Sequence, residues 1–184
     1  LRRERQLCAW QVSDNPNAKP LVTLIYESDL DSSSFDNAYG TFKTKRQALQ
    51  ILNKLADEEG LCDKALGLEK GSGICFSHQL KHCKGLCAGQ EPAELHRLRL
   101  LTALSRYKIL AWPFAGRIGI KEYNPANDMT EVHVFDQWCH LGTVKDHQEL
   151  DELSKRPCFD RDTYRYLLKF INRKQVEIIA LHGH

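Results

Sequence analysis

The chain has 184 residues, 42% hydrophobic and 27% charged, with a formal net charge of +2, which suits one soluble domain of ordinary size or two small ones. That balance excludes wholesale disorder, and no apolar run approaches the ~18 residues that a membrane-spanning helix needs, so no membrane partner is expected. Seven cysteines, an odd number, without a secretory segment disfavour an extracellular disulfide framework and point to metal binding or burial in a cytoplasmic setting.

Leu7–Val12 and Leu21–Tyr26 read as strands, being apolar and rich in aromatic or β-branched residues, with turn chemistry at Ser13–Asn17 between them. An antiparallel pair is the simplest arrangement. Asp29–Asp36 reads as a polar loop. A helix follows: Thr44 and Gln47 have capping-box spacing, Ala48, Leu49, Ile51, Leu52, Leu55 and Ala56 supply a buried face, and Gly60 suits a left-handed cap. Residues 61–90 carry no convincing periodicity and are interrupted by Gly67, Gly71, Gly73, Gly85 and Gly89. A second helix starts near Pro92 and runs through Leu95, Leu98, Leu101 and Leu104 to about Lys108. Ile118–Glu122 and Glu131–Phe135 alternate as a hairpin around Asn124–Asp128, and Trp138–Val144 adds a third strand. Asp146 with Glu149 starts a short helix, Asp160 starts another carrying Tyr164, Leu167, Leu168 and Ile171, and Val176–Leu181 closes as a strand. The expected fold class is α+β. A cysteine-clustered segment of helix and loop lies between an N-terminal β-hairpin-plus-helix and a small C-terminal antiparallel α+β unit, with boundaries at 1–60, 61–110 and 111–184.

Charge is not spread evenly. Residues 39–110 hold 12 Lys and Arg against 7 Asp and Glu, while both flanking stretches are mildly acidic. The basic excess therefore sits with the cysteines, where an anionic partner would be steered. Four of those cysteines, Cys62, Cys75, Cys83 and Cys87, are separated by 12, 7 and 3 residues. Four soft thiolates complete either a tetrahedral zinc site or an iron–sulfur cubane. The spacing leaves both open: only Cys83 and Cys87 are as close as paired zinc ligands usually are, and wide uneven spacing suits a larger cluster. Cys8, Cys139 and Cys158 are isolated and read as small buried hydrophobes. Trp10, Trp112 and Trp138 read as core aromatics rather than base-stacking platforms.

Cys75-Phe76-Ser77-His78-Gln79-Leu80-Lys81-His82-Cys83-Lys84-Gly85-Leu86-Cys87 resembles the cysteine-rich segment of the UvrC nucleotide-excision endonucleases. Gln79 matches that family's glutamine, Leu80 its aliphatic neighbour, and Cys62 its more distant upstream cysteine. Ala38-Tyr39-Gly40-Thr41-Phe42 and the helix after it resemble the family's Tyr-x-Gly-Pro-Phe and helix. Thr41 and Leu86 depart from the family, which has prolines there. Trp112-Pro113-Phe114, Ile118-Gly119-Ile120 and His133 to Gly142 are of the kind seen in UvrC-like, Cho-type proteins that fuse a proofreading-type exonuclease to a GIY-YIG nuclease. The resemblance covers nearly the full length. It implies DNA repair and, for the four cysteines, a 4Fe–4S cluster, with zinc as the alternative.

No Gly-Ile-Tyr or Tyr-Ile-Gly occurs, and no exonuclease aspartate–glutamate motif, so no catalytic residue is assigned. The only methionine is Met129, so the chain is expected to be a piece of a longer protein, with Arg2-Arg3-Glu4-Arg5 just beyond an upstream nuclease core. Candidate phosphate contacts are Lys81, His82, Lys84, Arg97 and Arg99 near the cysteines and Lys43, Lys45 and Arg46 at the first helix's start. His78 and His82 are expected to face solvent or bond to backbone rather than ligate. His133 is expected to lack an orienting partner. The function expected is that of a non-catalytic, cluster-binding C-terminal region that positions DNA, or other repair proteins, for an upstream nuclease of the same chain. A zinc-stabilised protein-interaction module is the alternative.

Overall fold

The apolar strand segments near the N-terminus pair as their composition requires. β1 (Cys8–Val12) lies between β2 (Val22–Tyr26) and β3 (Ala38–Phe42), antiparallel to both. The computed structural model describes residues 6–31, 33–153, 158–173 and 177–181. Arg2-Arg3-Glu4-Arg5 and Val176 lie outside the described residues. The third strand was recognisable only as a family motif, because Gly40, with φ of 75°, breaks the alternation that marks a strand.

The chain divides into two compact units, one of residues 1–29 and 34–109, the other of residues 30–33 and 110–184. In the first, helix α1 (Lys45–Glu59) is capped as expected: Thr44 Oγ1 accepts from Gln47 N at 3.1 Å, and Gln47 Oε1 accepts from Lys43 N at 3.0 Å. Ala48, Leu52, Leu55 and Ala56 are buried against Trp10, Tyr39 and Phe42. Gly60 ends the helix at φ 64° and turns the chain toward Cys62. Two single-turn helices follow, α2 (Asp63–Leu66) and α3 (Phe76–Gln79), then α4 (Ala93–Leu104). The aperiodic stretch is thus mostly loop. Where the sequence suggested a polar loop at Asp29–Asp36, short 3-10 turns occur at Glu27–Asp29 and Phe35–Asn37.

The face of α4 differs from the one its leucines suggest. His96, Leu100 and Leu104 point inward, four residues apart, while Leu95 and Leu98 are 49% and 61% exposed. A polar residue holds an inward slot because it has a specific partner there, and leucine spacing cannot reveal that partner.

In the second unit, β4 (Ile118–Asn124), β5 (Met129–Asp136), β6 (Cys139–Val144) and β7 (Ile178–Ala180) form an antiparallel sheet in the order β6-β5-β4-β7. Two helices accompany it, α5 (His147–Glu152) and α6 (Arg161–Arg173). Asp146 Oδ1 accepts from Glu149 N at 2.9 Å and Asp160 Oδ1 from Thr163 N at 2.6 Å, the two helix starts expected from those residues. Trp138 is not part of the third strand. With Gln137 it forms the two-residue turn between β5 and β6, both residues at positive φ, as the twist of a tight hairpin demands. Its buried indole donates to Leu110 O at 2.9 Å and packs edge-on against Trp112 and Tyr164.

The α+β class is borne out. All three tryptophans are core aromatics, and Cys8 and Cys139 are buried as expected. Cys158 is exposed, contrary to the buried-hydrophobe reading. Among the described residues no helix is long and apolar enough to cross a membrane.

A Cβ at Gly60 would meet His82 O and Lys84 Cγ, each at 3.2 Å, on a backbone that L residues rarely adopt. Gly60→Ala should therefore cost about 1–2 kcal/mol, with Gly60→Asn milder, as read from the urea midpoint.

Candidate metal centre

The four cysteines reach one point from four different backbone settings. Cys62 precedes α2, Cys75 precedes α3, Cys83 lies in the loop after α3, and Cys87 sits in a 3-10 turn between two left-handed glycines. The turn at the cluster's edge is tied to the end of α1, where Lys84 N donates to Gly60 O at 3.1 Å. Leu61, Cys62, Cys75 and Cys83 belong to the same apolar core as Leu55, Leu66 and Leu100, so burial of ordinary hydrophobes draws the thiols together.

All four Sγ atoms lie within 4.8 Å of one another, with Cys87 Sγ 3.5 Å from Cys75 Sγ. Cys62, Cys75 and Cys83 are buried and Cys87 is half-buried. Among the described residues no other three His, Cys, Asp or Glu side chains bring donor atoms together in this way. The donor set suits a thiophilic centre. Around one zinc, thiolates at ~2.3 Å sit ~3.8 Å apart, the edge of the tetrahedron. Around a cubane of irons ~2.7 Å apart they sit roughly 6 Å apart. The observed spacing is nearer the first, and a cubane would need the loops to move outward by an ångström or two.

Backbone groups donate to sulfur: Cys75 N to Cys87 Sγ at 3.4 Å, Gly85 N to Cys83 Sγ at 3.3 Å, and Ala65 N to Cys62. Burial pushes the Cys62 thiol up to about 11 and the Cys83 thiol higher still. Burial works the same way on Cys87, but there the Cys75 N–H and the neighbouring thiols outweigh it and hold the pKa below its ordinary value. The surroundings thus disfavour the ionised form at Cys62 and Cys83 and favour it at Cys87.

A residue that sequence reasoning missed positions the first thiol. His96 is fully buried, and its Nε2 accepts from Cys62 N at 3.0 Å. Burial lowers its pKa to about 4, so it is a neutral acceptor at physiological pH. His78 is bonded to backbone as expected, its Nδ1 lying 3.1 Å from Cys83 O. His82 is exposed, with Nδ1 3.8 Å from Asp57 Oδ1.

The basic candidates separate into two kinds. Lys43, Lys45 and Arg46 are exposed at the start of α1, and Lys81, His82 and Lys84 are exposed beside the cysteines at its far end. A 15-residue helix puts about 22 Å between the two groups. Arg97 and Arg99 are turned into the protein instead. Arg97 Nε donates to Ser13 O at 3.0 Å and its Nη2 lies 3.4 Å from Asp14 Oδ1. Arg99 grips Glu91 through Nε at 2.9 Å and Nη2 at 2.6 Å, and also donates to the carbonyls of Glu59 and Gly60. Charge and position alone make both resemble phosphate contacts, but each has carbonyl and carboxylate partners within the protein.

In the second unit His133 does have partners, contrary to expectation. Its Nε2 is 2.6 Å from Glu122 Oε2 and its Nδ1 2.9 Å from Thr143 Oγ1, so the three side chains form a row across β4, β5 and β6. Glu122 and His133 line a cavity of about 620 Å³ with Phe135, His140, Tyr166 and Phe170. Both ring nitrogens of His133 are engaged within the row.

A thiol-rich middle segment followed by a small antiparallel α+β unit is the arrangement that the comparisons with known proteins match. Residues 7–106 match the UvrC/Cho excinuclease middle domain and residues 117–184 the excinuclease Cho C-terminal domain, and the chain belongs to the UvrC/Cho excinuclease family. It is 40% identical over 185 residues to excinuclease Cho of Salmonella typhi, covering 99% of this chain and 61% of that protein. It is 39% identical over 184 residues to excinuclease Cho of Escherichia coli K12, covering 98% of this chain and 60% of that one. The chain thus spans about three fifths of these curated relatives. No solved structure matches it.

The Arg99 geometry makes a prediction. The Arg99 and Glu91 side chains are 17% and 5% exposed. Arg99→Leu leaves a buried carboxylate unpaired and should destabilise the chain by about 3 kcal/mol in chemical unfolding. Arg99→Leu with Glu91→Leu should recover a large part of that loss.

Proposed function

We propose that this chain is the non-catalytic, cluster-binding region of a DNA-repair excinuclease, serving a nuclease domain that lies upstream in the same protein. The observation that carries the reading is the convergence of Cys62, Cys75, Cys83 and Cys87 within 4.8 Å in the segment that matches the family's middle domain. These four thiolates would hold a 4Fe–4S cluster, as the likeness to UvrC implies, and the cluster would tether loops that carry too little periodicity to order themselves. Lys81, His82 and Lys84 then present a basic edge beside the cluster, and Lys43, Lys45 and Arg46 a second basic group at the other end of α1, for DNA phosphates. A reducing, cytoplasmic setting keeps the thiols available.

One observation favours a second reading. The sulfur spacing is close to the edge of a zinc tetrahedron, which would make the site a structural clip in a module that recruits other repair proteins.

Metal and acid-labile sulfide content of anaerobically purified protein separates the two. About four irons and four sulfides per chain support the cluster, and one zinc without sulfide supports the clip. In either case Cys83→Ser should lose bound metal and fold stability together. A variant that kept both would refute the four-thiolate site. For DNA, affinity should fall steeply with salt, and Lys84→Ala should flatten the log–log slope by about one unit. A salt-independent interaction would favour the protein-interaction module.

A further inference from the structure

In the 12-residue spacer between Cys62 and Cys75, Ala65 and Leu66 pack into the core and Leu68 against it, but residues 70–74 are all exposed. A Cβ placed on Gly71 or Gly73 would meet nothing within 4 Å, and Gly71 to Ile74 are exposed. The spacer nevertheless delivers Cys75 to a fully buried position. One ion pair accounts for this. Lys64, two residues after Cys62, is only 15% exposed, and its Nζ donates to three successive carbonyls, Ser72 O at 2.7 Å, Gly73 O at 3.2 Å and Ile74 O at 3.2 Å. The same ammonium lies 3.3 Å from Glu69 Oε1, and Glu69 Oε2 accepts from Phe76 N at 2.8 Å. The carbonyl before Cys75 and the N–H after it are therefore both held by the two members of one pair. Glu69 is itself fixed, because Leu68 N and Glu69 N donate to Asp63 O at 2.9 and 3.3 Å. The loop so held forms one wall of a cavity of about 650 Å³ that reaches Cys62 and Cys87.

We infer that Lys64 and Glu69 form a clamp that sets the Cys75 thiol in place before any metal arrives, leaving the cavity beside Cys62 and Cys87 as the side from which the site is loaded. They are positioning residues: neither is a ligand, and each acts through the backbone on either side of Cys75. The inference rests on the reading of the four cysteines as a metal site. The ammonium has three N–H groups and faces four oxygens, the three loop carbonyls and Glu69 Oε1, so it has no spare donor. Losing it would free a glycine-rich loop whose conformational entropy opposes return.

The test uses the whole chain with Lys64→Met, Glu69→Gln and Lys64→Arg, and zinc alone as the metal probe. In competition with a chromogenic chelator, Lys64→Met should weaken zinc by about 10–100-fold, the range for residues that orient ligands. Lys64→Arg should recover much of that, and Glu69→Gln, which keeps an acceptor for Phe76 N, should fall between. In metal-free protein, iodoacetamide should alkylate Cys75 at least several-fold faster in Lys64→Met than in the unsubstituted chain, with the core thiol Cys8 unchanged. Unchanged zinc affinity with an unchanged Cys75 rate overturns the clamp. So does equal acceleration at Cys8, which would mean general loosening. If the unsubstituted chain binds no zinc and takes up no iron, the metal-site reading fails, and the alkylation comparison still decides the clamp.

Discussion

Two side chains of α4 reach across the end of α1 and fix the turn from which the first thiol departs. A helix leaves its last carbonyls without intrahelical donors, and Arg99 supplies them to Glu59 and Gly60 while Glu91 balances its charge. Three residues earlier on the same helix, His96 takes the N–H of Cys62. The path from Gly60 to Cys62 is thereby specified by hydrogen bonds at successive residues, and the thiol is placed relative to two rigid helices. Lys84 joins the same turn through Gly60 O, so the far side of the cysteine loop is measured from the same point.

Sulfur chemistry imposes the opposing demand. The core that gathers the thiols also desolvates them, which disfavours the ionised form a ligand must take. Backbone donors relieve this in part at Cys62, Cys83 and Cys87. A cation entering the site would displace protons from the buried thiols, so its affinity would rise with pH. Hydrophobic burial thus assembles the four thiols, and only a positive charge among them would offset what that burial costs their ionised forms.

Much of this was legible because it is local. Thr44 with Gln47, Asp146 with Glu149 and the glycine at position 60 act within one turn of chain, and the cysteine spacing singles out the four thiols that converge. What escaped depends on partners far away in sequence. His96 takes an inward place on α4 because Cys62 N, 34 residues earlier, requires an acceptor, and Leu98 faces solvent as a result of the same rotation. Arg99 resembles a surface phosphate contact until Glu59 and Gly60 are brought to it. Trp138 has the composition of a strand residue, yet the tight β5–β6 connection and the carbonyl of Leu110 hold it in a turn. The partners of His133 follow from sheet register, with Thr143 directly opposite and Glu122 on the diagonal, and register is not visible in one strand at a time.

The close spacing of the four cysteines along the chain bears on the order of folding. The thiol cluster closes over 26 consecutive residues, from Cys62 to Cys87, whereas pairing Ile118 with Ala180 closes a far longer stretch. Loop closure grows more slowly than length but always favours the shorter contact, and chains rich in short-range contacts fold faster. The cysteine segment is therefore positioned to collapse ahead of the four-stranded sheet, which waits on its last strand.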